Sequence, residues 1–217
     1  MPQPNDYVLK VGKEGAPRLK LLNLMCNPSS LEFIEDNLDL KNKRILDLGC
    51  GVGILSSELA KRSLPNGSVM AVDVSQAQLD IAQSIAQENK VENISFKQIS
   101  AFDIDELEVK FDLIYCRFVL AHLSAVSEVI NKITKIMHSS SVLICEEPNG
   151  AGTLYCKPLD PVFEKWKLAA LKQVEISKAN FTIGLSLHGI FSVNNLTTIS
   201  KRKVQAKLNT SELKQQL

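Results

Sequence analysis

The stretch Asp47-Leu48-Gly49-Cys50-Gly51-Val52-Gly53 combines a carboxylate with three closely spaced glycines. Glycine accepts positive φ and lets a ligand approach the backbone without meeting a Cβ. Where such a loop opens a helix, free N–H groups face whatever binds there. A dinucleotide loop reads G-x-G-x-x-G, and here the last of those positions is Ile54. Asp47 also sets a negative charge before the first glycine, which repels a pyrophosphate and attracts an ammonium group. Two further acids follow at intervals, Asp73 and Asp103, the latter beside Phe102. A carboxylate at Asp73 suits a pair of ribose hydroxyls, in charge-assisted bonds of about 1.5–3 kcal/mol each. An acceptor at Asp103 suits an exocyclic amine, with the Phe102 ring covering the heterocycle.

These residues need elements to place them. Arg44–Leu48 is a short apolar run that ends in glycine, as buried strands do. Gly53–Arg62 has helical spacing, and Pro65-Asn66-Gly67 is a turn. Ser68–Val74, Asn93–Ile99, Phe111–Cys116 and Ser141–Glu146 read as four further strands. Ser75 is placed to cap a helix whose inner side carries Leu79, Ile81, Ala82, Ile85 and Ala86. Ala125–Met137 is a clear amphipathic helix, with Val126, Val129, Ile130 and Ile133 at the spacing of one face. Strands alternating with helices predict a mostly parallel, doubly wound α/β sheet with right-handed crossovers. All three acids then fall just beyond the carboxyl ends of strands, where open α/β sheets bind ligands. Taken singly, each also has a plain reading: a turn or helix cap for Asp47 and Asp73, a solvated loop for Asp103.

Towards the amino end, Leu19, Leu21, Leu22, Leu24 and Met25 form an apolar helical patch, and Pro28 is expected to start a second helix over Ser29–Leu38. Residues 1–40 thus read as a helical lid and 41–217 as the α/β domain. Beyond Asn149, Val162–Ile176 reads as a long helix and Ile183–Phe191 as a helix or helical turn. Leu196–Leu208 has the alternation of a strand, and Ser211–Leu217 begins to look helical.

The run Ile45–Gly53 resembles the first motif of class I S-adenosylmethionine-dependent methyltransferases. Val72-Asp73-Val74-Ser75 resembles their second motif. Phe111-Asp112-Leu113-Ile114-Tyr115-Cys116-Arg117-Phe118-Val119-Leu120 resembles their fourth-strand motif, in its small-molecule form. The likeness runs from Tyr7 to Leu208 and is strongest over Arg44–Leu123. It implies a Rossmann-like sheet of seven strands, the last antiparallel. It also implies S-adenosylmethionine as cofactor and S-adenosylhomocysteine as product. By resemblance Asp47 and the backbone of Gly49, Cys50 and Gly51 hold the methionine part, Asp73 the ribose, and Phe102 with Asp103 the adenine, while Val74 also borders the cofactor and Cys116 lies near the methionine. Two features depart from the pattern. The Gly-Gly turn before the fifth strand is His138-Ser139-Ser140-Ser141, and the chain ends before the final hairpin is complete.

Methyl transfer is an in-line displacement in which orientation supplies ~7–11 kcal/mol. A general base is needed only when the nucleophile is protonated. Glu146 and Glu147, at the end of the fifth strand, are the candidate catalytic carboxylates. Because they are adjacent, at most one faces the cleft squarely. His122 and His188 are weaker candidates, and Tyr7 and Arg18 belong to the lid region, where packing or surface is the commoner role.

With 25 basic and 24 acidic side chains, net charge is +1, so nothing pulls the chain towards nucleic acid or an anionic membrane. There is no Asn-Pro-Pro-Tyr tetrapeptide after the fourth strand and no Pro-Cys nucleophile, which argues against nucleobase substrates. Cys26, Cys50, Cys116, Cys145 and Cys156 form no C-x-x-C pair, and His numbers 3, so no metal site is expected. Scattered thiols, with neither a signal peptide nor a spanning segment of about 20 apolar residues, fit a cytoplasmic protein. The expected activity is methylation of a small-molecule O, N or C acceptor. Its rivals are a non-catalytic cofactor-binding protein, a protein methyltransferase and, disfavoured by Ile54 and Asp47, a nicotinamide-dependent oxidoreductase.

Overall fold

The computed structural model describes residues 12–150 and 156–205. Five strands, β1 (Arg44–Leu48), β2 (Ser68–Asp73), β3 (Ile94–Gln98), β4 (Phe111–Arg117) and β5 (Met137–Glu146), form one sheet in the order β3-β2-β1-β4-β5. Every pairing is parallel. Among the described residues six α-helices accompany them: α1 (Gly12–Asn37), α2 (Ile54–Ser63), α3 (Gln76–Glu88), α4 (Val126–Lys135), α5 (Pro161–Ser177) and α6 (Leu187–Val193). The strand order reverses between β1 and β4, and the crevice of a doubly wound sheet opens at such a switch point.

Strand alternation sorts the core into two layers. Ile45, Val69, Leu113, Tyr115 and Ile144 pack on one face with Ile34 of α1 and with Leu55, Leu59 and Ala60 of α2. Leu46, Leu48, Val72, Ile114 and Cys116 face the other way, onto Val129, Ile130 and Ile133 of α4 and the turn around Ile104. The spacing expected of α3 holds, with Leu79, Ala82 and Ala86 buried. Ser75 occupies the N-cap position but makes no side-chain capping bond. Its N–H is taken instead by Asp73 Oδ1 at 2.9 Å.

Four expectations need correction. Pro28 does not start a second helix but lies inside α1, which runs unbroken for 26 residues. An internal proline costs a helix ~3 kcal/mol through its missing donor and its ring clash. Burial of the following turns offsets that, Ile34 being completely enclosed. The Ser29 hydroxyl donates to the Cys26 carbonyl beside Pro28, and Ser30 Oγ lies 2.9 Å from the same oxygen.

The second correction concerns β5, which begins at Met137 rather than Ser141. Met137 pairs with Phe111, Val142 pairs with Leu113, and the residues between are absorbed in an irregularity of register. Ser141 holds it there, donating from Oγ to the Phe111 carbonyl at 2.6 Å and accepting the His138 N–H at 2.8 Å.

Third, residues 196–205 form no strand. Arg202 among them pairs with Glu32 of α1 at 3.1 Å and covers the Phe33 ring. Residues 206–208 and the expected helix Ser211–Leu217 lie outside the described residues. Fourth, the described residues therefore hold five parallel strands, without the sixth strand and the antiparallel seventh that the resemblance implied.

Ile34 tests whether α1 belongs to the core. Ile34→Ala should lower unfolding free energy by about 2–5 kcal/mol. Urea denaturation followed by circular dichroism measures it, and a loss under 0.5 kcal/mol would mean that α1 is a detachable flap.

Candidate functional site

The glycine loop joins β1 to α2 at the switch point. Gly49, Gly51 and Gly53 all have positive φ, at 74°, 55° and 69°. The reasons for glycine differ along the loop. A Cβ on Gly49 would lie 2.2 Å from Val119 Cγ2, and one on Gly53 would lie 2.6 Å from the Ala82 Cβ. Those two glycines serve packing between elements. A Cβ on Gly51 would point instead towards Leu19 of α1, at 3.4 Å, across the cleft between loop and helix. The loop is tied to the sheet by the N–H groups of Gly49 and Cys50, which both donate to the Val72 carbonyl at 2.8 and 3.0 Å. Leu19, Leu22 and Asn23 of α1, Asp47, Gly49 to Val52, Tyr115 and Arg117 line the cleft. A second hollow, lined by Arg44, Ser68 and Phe111, lies at the amino ends of the strands, away from these groups.

Asp47 is 4% exposed. Ser56 Oγ donates to its Oδ2 at 2.5 Å. Burial pushes its pKa up to about 6, against the opposing pull of the Ser56 hydrogen bond and the Arg117 charge. Asp73 accepts the Gly51 N–H at 3.0 Å and the Ser75 N–H at 2.9 Å, one on each oxygen. It thereby fixes the glycine loop to the start of α3, and burial raises its pKa. Val74, beyond it, is half exposed. Phe102 and Asp103 fall in a 3-10 turn, Ala101–Glu106, begun by Ser100, whose hydroxyl accepts the Phe102 N–H. The Phe102 ring leans on the core and the Asp103 side chain is exposed. Cys50 borders the cleft, its thiol pKa pushed well up by burial.

Cys116 is placed differently from the other expected cofactor residues. It pairs in register with Cys145 and is completely enclosed on the α4 side of the sheet. The residue after it reaches the cleft instead. Arg117 was not singled out from the sequence. Its Nη1 donates to Ser30 Oγ at 3.0 Å, and its Nη2 to Asn23 and Asn27 Oδ1 at 3.0 and 2.9 Å, all on α1. Ser30 in turn donates to Glu146 Oε2 at 2.6 Å, and the Tyr115 hydroxyl reaches the same oxygen at 2.8 Å. Asp47 lies opposite Tyr115 in register, so Asp47, Tyr115, Arg117 and Glu146 share the α1 face of the sheet. The signal that could have located Arg117 is its offset of two from Tyr115, once a strand pairing was known.

Glu146 and Glu147 diverge, as adjacent strand residues must. Glu147 accepts three backbone N–H groups, from Val119 and Leu120 on Oε1 at 2.9 and 2.8 Å and from Ala121 on Oε2 at 3.2 Å. The turn it holds follows Phe118, a non-glycine residue at φ 56°. Burial drives the Glu147 pKa up to about 7 despite those three donors. His122, within the turn, meets the Phe181 ring edge-on at 5.9 Å, and burial followed by the Arg18 charge lowers its pKa. His188 is exposed and bonds Thr198 Oγ1 at 3.0 Å, outside the cleft.

The glycine loop and the carboxylates closing β1 and β2 gather at the switch point of a doubly wound fold, where such sheets bind ligands. A family model described as "Methyltransferase domain" matches residues 39–206, and the chain belongs to that family. The ubiquinone biosynthesis O-methyltransferase of Pseudomonas fluorescens (strain SBW25) is 35% identical over 105 residues, which is 48% of this chain and 44% of that protein. Its namesake from Coxiella burnetii (strain RSA 493 / Nine Mile phase I) is 35% identical over 108 residues, 50% of this chain and 44% of that protein. The chain thus spans under half the length of these relatives. Among solved structures, the YcgJ protein of Bacillus subtilis aligns over 76% of this chain and 66% of its own, with TM-score 0.53 and 23% identity. A SAM-dependent methyltransferase of Aquifex aeolicus aligns over 74% and 87%, with TM-score 0.52 and 17% identity. Both share the fold.

The Glu147 shift has a defined sign. A carboxylate whose folded pKa lies above its unfolded value adds stability below the unfolded pKa and loses it as pH rises through the folded one. The window runs from 4.5 to about 7. Over it wild type should lose about 3 kcal/mol more than Glu147→Gln. Urea unfolding of both proteins at half-unit pH steps reads the difference, and parallel curves would show an ordinary Glu147.

Proposed function

We propose that this chain transfers the methyl group of S-adenosylmethionine to a small-molecule O, N or C acceptor and leaves S-adenosylhomocysteine. The observation that carries the reading is the buried Asp47 carboxylate beside Gly51, in a cleft that a Cβ on Gly51 would enter. The residues present suit this cofactor. Asp47 offers a negative charge to an α-ammonium. Each Asp73 oxygen already takes one N–H and keeps a lone pair for a ribose hydroxyl. Exposed Val74, Phe102 and the Asp103 carboxylate border the place for an adenine. Bound there, the cofactor supplies a sulfonium-activated methyl group, and no redox or metal chemistry is required.

What the chain contributes to the reaction is orientation. Asp47, the loop and Asp73 fix one reactant over β1 and β2, leaving the ends of β4 and β5 for the acceptor. Glu146 Oε2 is committed to Ser30 and Tyr115 and both Glu147 oxygens to the 119–121 backbone, which makes them positioning residues in this reading rather than bases. The amino-terminal half of α1 acts as the lid, closed on Gly51 through Leu19. The matched relatives, named as O-methyltransferases, support a small-molecule acceptor. The described cysteines are all unpaired, in keeping with a cytoplasmic setting.

Two measurements test the cofactor site. Asp73→Ala should weaken S-adenosylhomocysteine binding more than tenfold by calorimetry while the protein stays folded. Unchanged affinity removes Asp73 from the site. Affinity should also fall as pH drops through about 6, because an ammonium prefers the ionised form of Asp47. Asp47→Asn should bind weakly at every pH between 5 and 7, by about tenfold or more. A wild-type affinity that is flat across that range would place the ammonium elsewhere.

A further inference from the structure

Arg18 carries a need that the fold leaves unmet. Its Nη2 is buried and has no hydrogen-bond partner among the described residues. A guanidinium keeps its charge in proteins and presents five N–H donors. Leaving such a donor buried and unmatched is unfavourable. Native structures retain few groups of this kind without something to take them.

The surroundings of Arg18 say where its partner would lie. Arg18 precedes Leu19, the residue that closes on Gly51. Its charge is felt at His122, in the turn beyond β4. His122 meets Phe181 edge-on. The Phe181 carbonyl accepts the Gly150 N–H at 2.7 Å, which holds the segment after β5 beside it. The residue before Gly150 is Asn149, whose Oδ1 is also buried and without a partner among the described residues. The unmatched cationic donor and the unmatched neutral acceptor are thus each linked to the His122–Phe181 contact, beyond the carboxyl end of β4.

We propose that the methyl acceptor bears a carboxylate, which pairs with Arg18, and an O–H or N–H group that donates to Asn149. The inference rests on the methyl-transfer reading, since it fills the part of the cleft that reading leaves for the acceptor. A monoanion fits better than a phosphate dianion. Arg117 is committed to Asn23, Asn27 and Ser30. His122 is held towards its neutral form by burial and by Arg18 itself. One guanidinium therefore faces the acceptor, and its planar fork matches a carboxylate in two parallel bonds.

The test uses pairs of small aromatic and aliphatic carboxylic acids and their primary amides, titrated calorimetrically into the protein saturated with S-adenosylhomocysteine. Wild type should bind acids at least tenfold tighter than the matching amides. Arg18→Gln should abolish the preference, and Arg18→Lys, which keeps the charge, should retain part of it. Both variants should bind S-adenosylhomocysteine within twofold of wild type and melt as it does. Acids bound no better than amides, or a preference that survives in Arg18→Gln, overturns the proposal. Loss of S-adenosylhomocysteine binding in Arg18→Gln also overturns it, by giving Arg18 to the cofactor. Failure of the wild type to bind S-adenosylhomocysteine would count against the methyl-transfer reading instead. The same acid–amide comparison on the ligand-free protein then judges Arg18 separately.

Discussion

The constraint on which the site depends is a carboxylate taken out of water at the end of β1. An isolated ionised carboxylate is costly to bury, so the fold must answer Asp47 with donors and positive charge or let it protonate. Here the Ser56 hydroxyl and the Arg117 charge oppose the desolvation without cancelling it. The Ser56 contact comes from the first turn of α2, so the same interaction that steadies the acid sets the angle at which the helix leaves the glycine loop. Arg117 reaches the region from the end of β4, which requires β1 and β4 to be neighbours and makes the switch point and the charge balance one requirement.

Strand parity distributes roles over the rest of the sheet. On the α1 face, the carboxyl ends of β1, β4 and β5 present Asp47, Arg117 and Glu146. On the α4 face the neighbouring positions are apolar, Leu48, Cys116 and Cys145 among them. A polar network therefore lies on one side of a backbone whose other side is dry. Arg117 joins three residues of α1 that are four and three apart, Asn23, Asn27 and Ser30, which is one stripe of a helix. The helix, the strand ends and the loop are thus coupled through side chains rather than through apolar contact alone.

Much of this was legible in the sequence because it is periodic or punctuated. The five strand positions, the glycine loop and the amphipathic face of α4 come from residue spacing that tertiary contacts reinforce. The errors came where tertiary contacts override local preference. Pro28 stops a helix in isolation, yet burial of Ile34 carries α1 through it. The residues from Leu196 to Leu208 alternate like a strand, yet among the described ones Arg202 finds its acids on α1 rather than at a sheet edge. Cys116 was expected at the cofactor by motif position, but only register reveals that its face of the sheet is the closed one. Glu147 and Arg18 illustrate a further limit. What distinguishes them is which polar atoms find partners, and that depends on contacts between residues distant in the chain.

The closeness of Gly53 to Ala82 has a bearing on how this fold can be altered. With a would-be Cβ only 2.6 Å from the Ala82 Cβ, the first turn of α2 and the middle of α3 meet almost backbone to backbone. Positions 53 and 82 behave as a single steric unit, although one closes the glycine loop and the other lies in α3, with α2 and β2 between them in the chain. Bulk cannot be moved from one to the other, because Gly53 also needs its positive φ. Diversification of α3 is therefore free on its solvent side but closed at this one inward position, and a redesigned ligand pocket would have to take its new volume from α1 and the segments after β4 and β5.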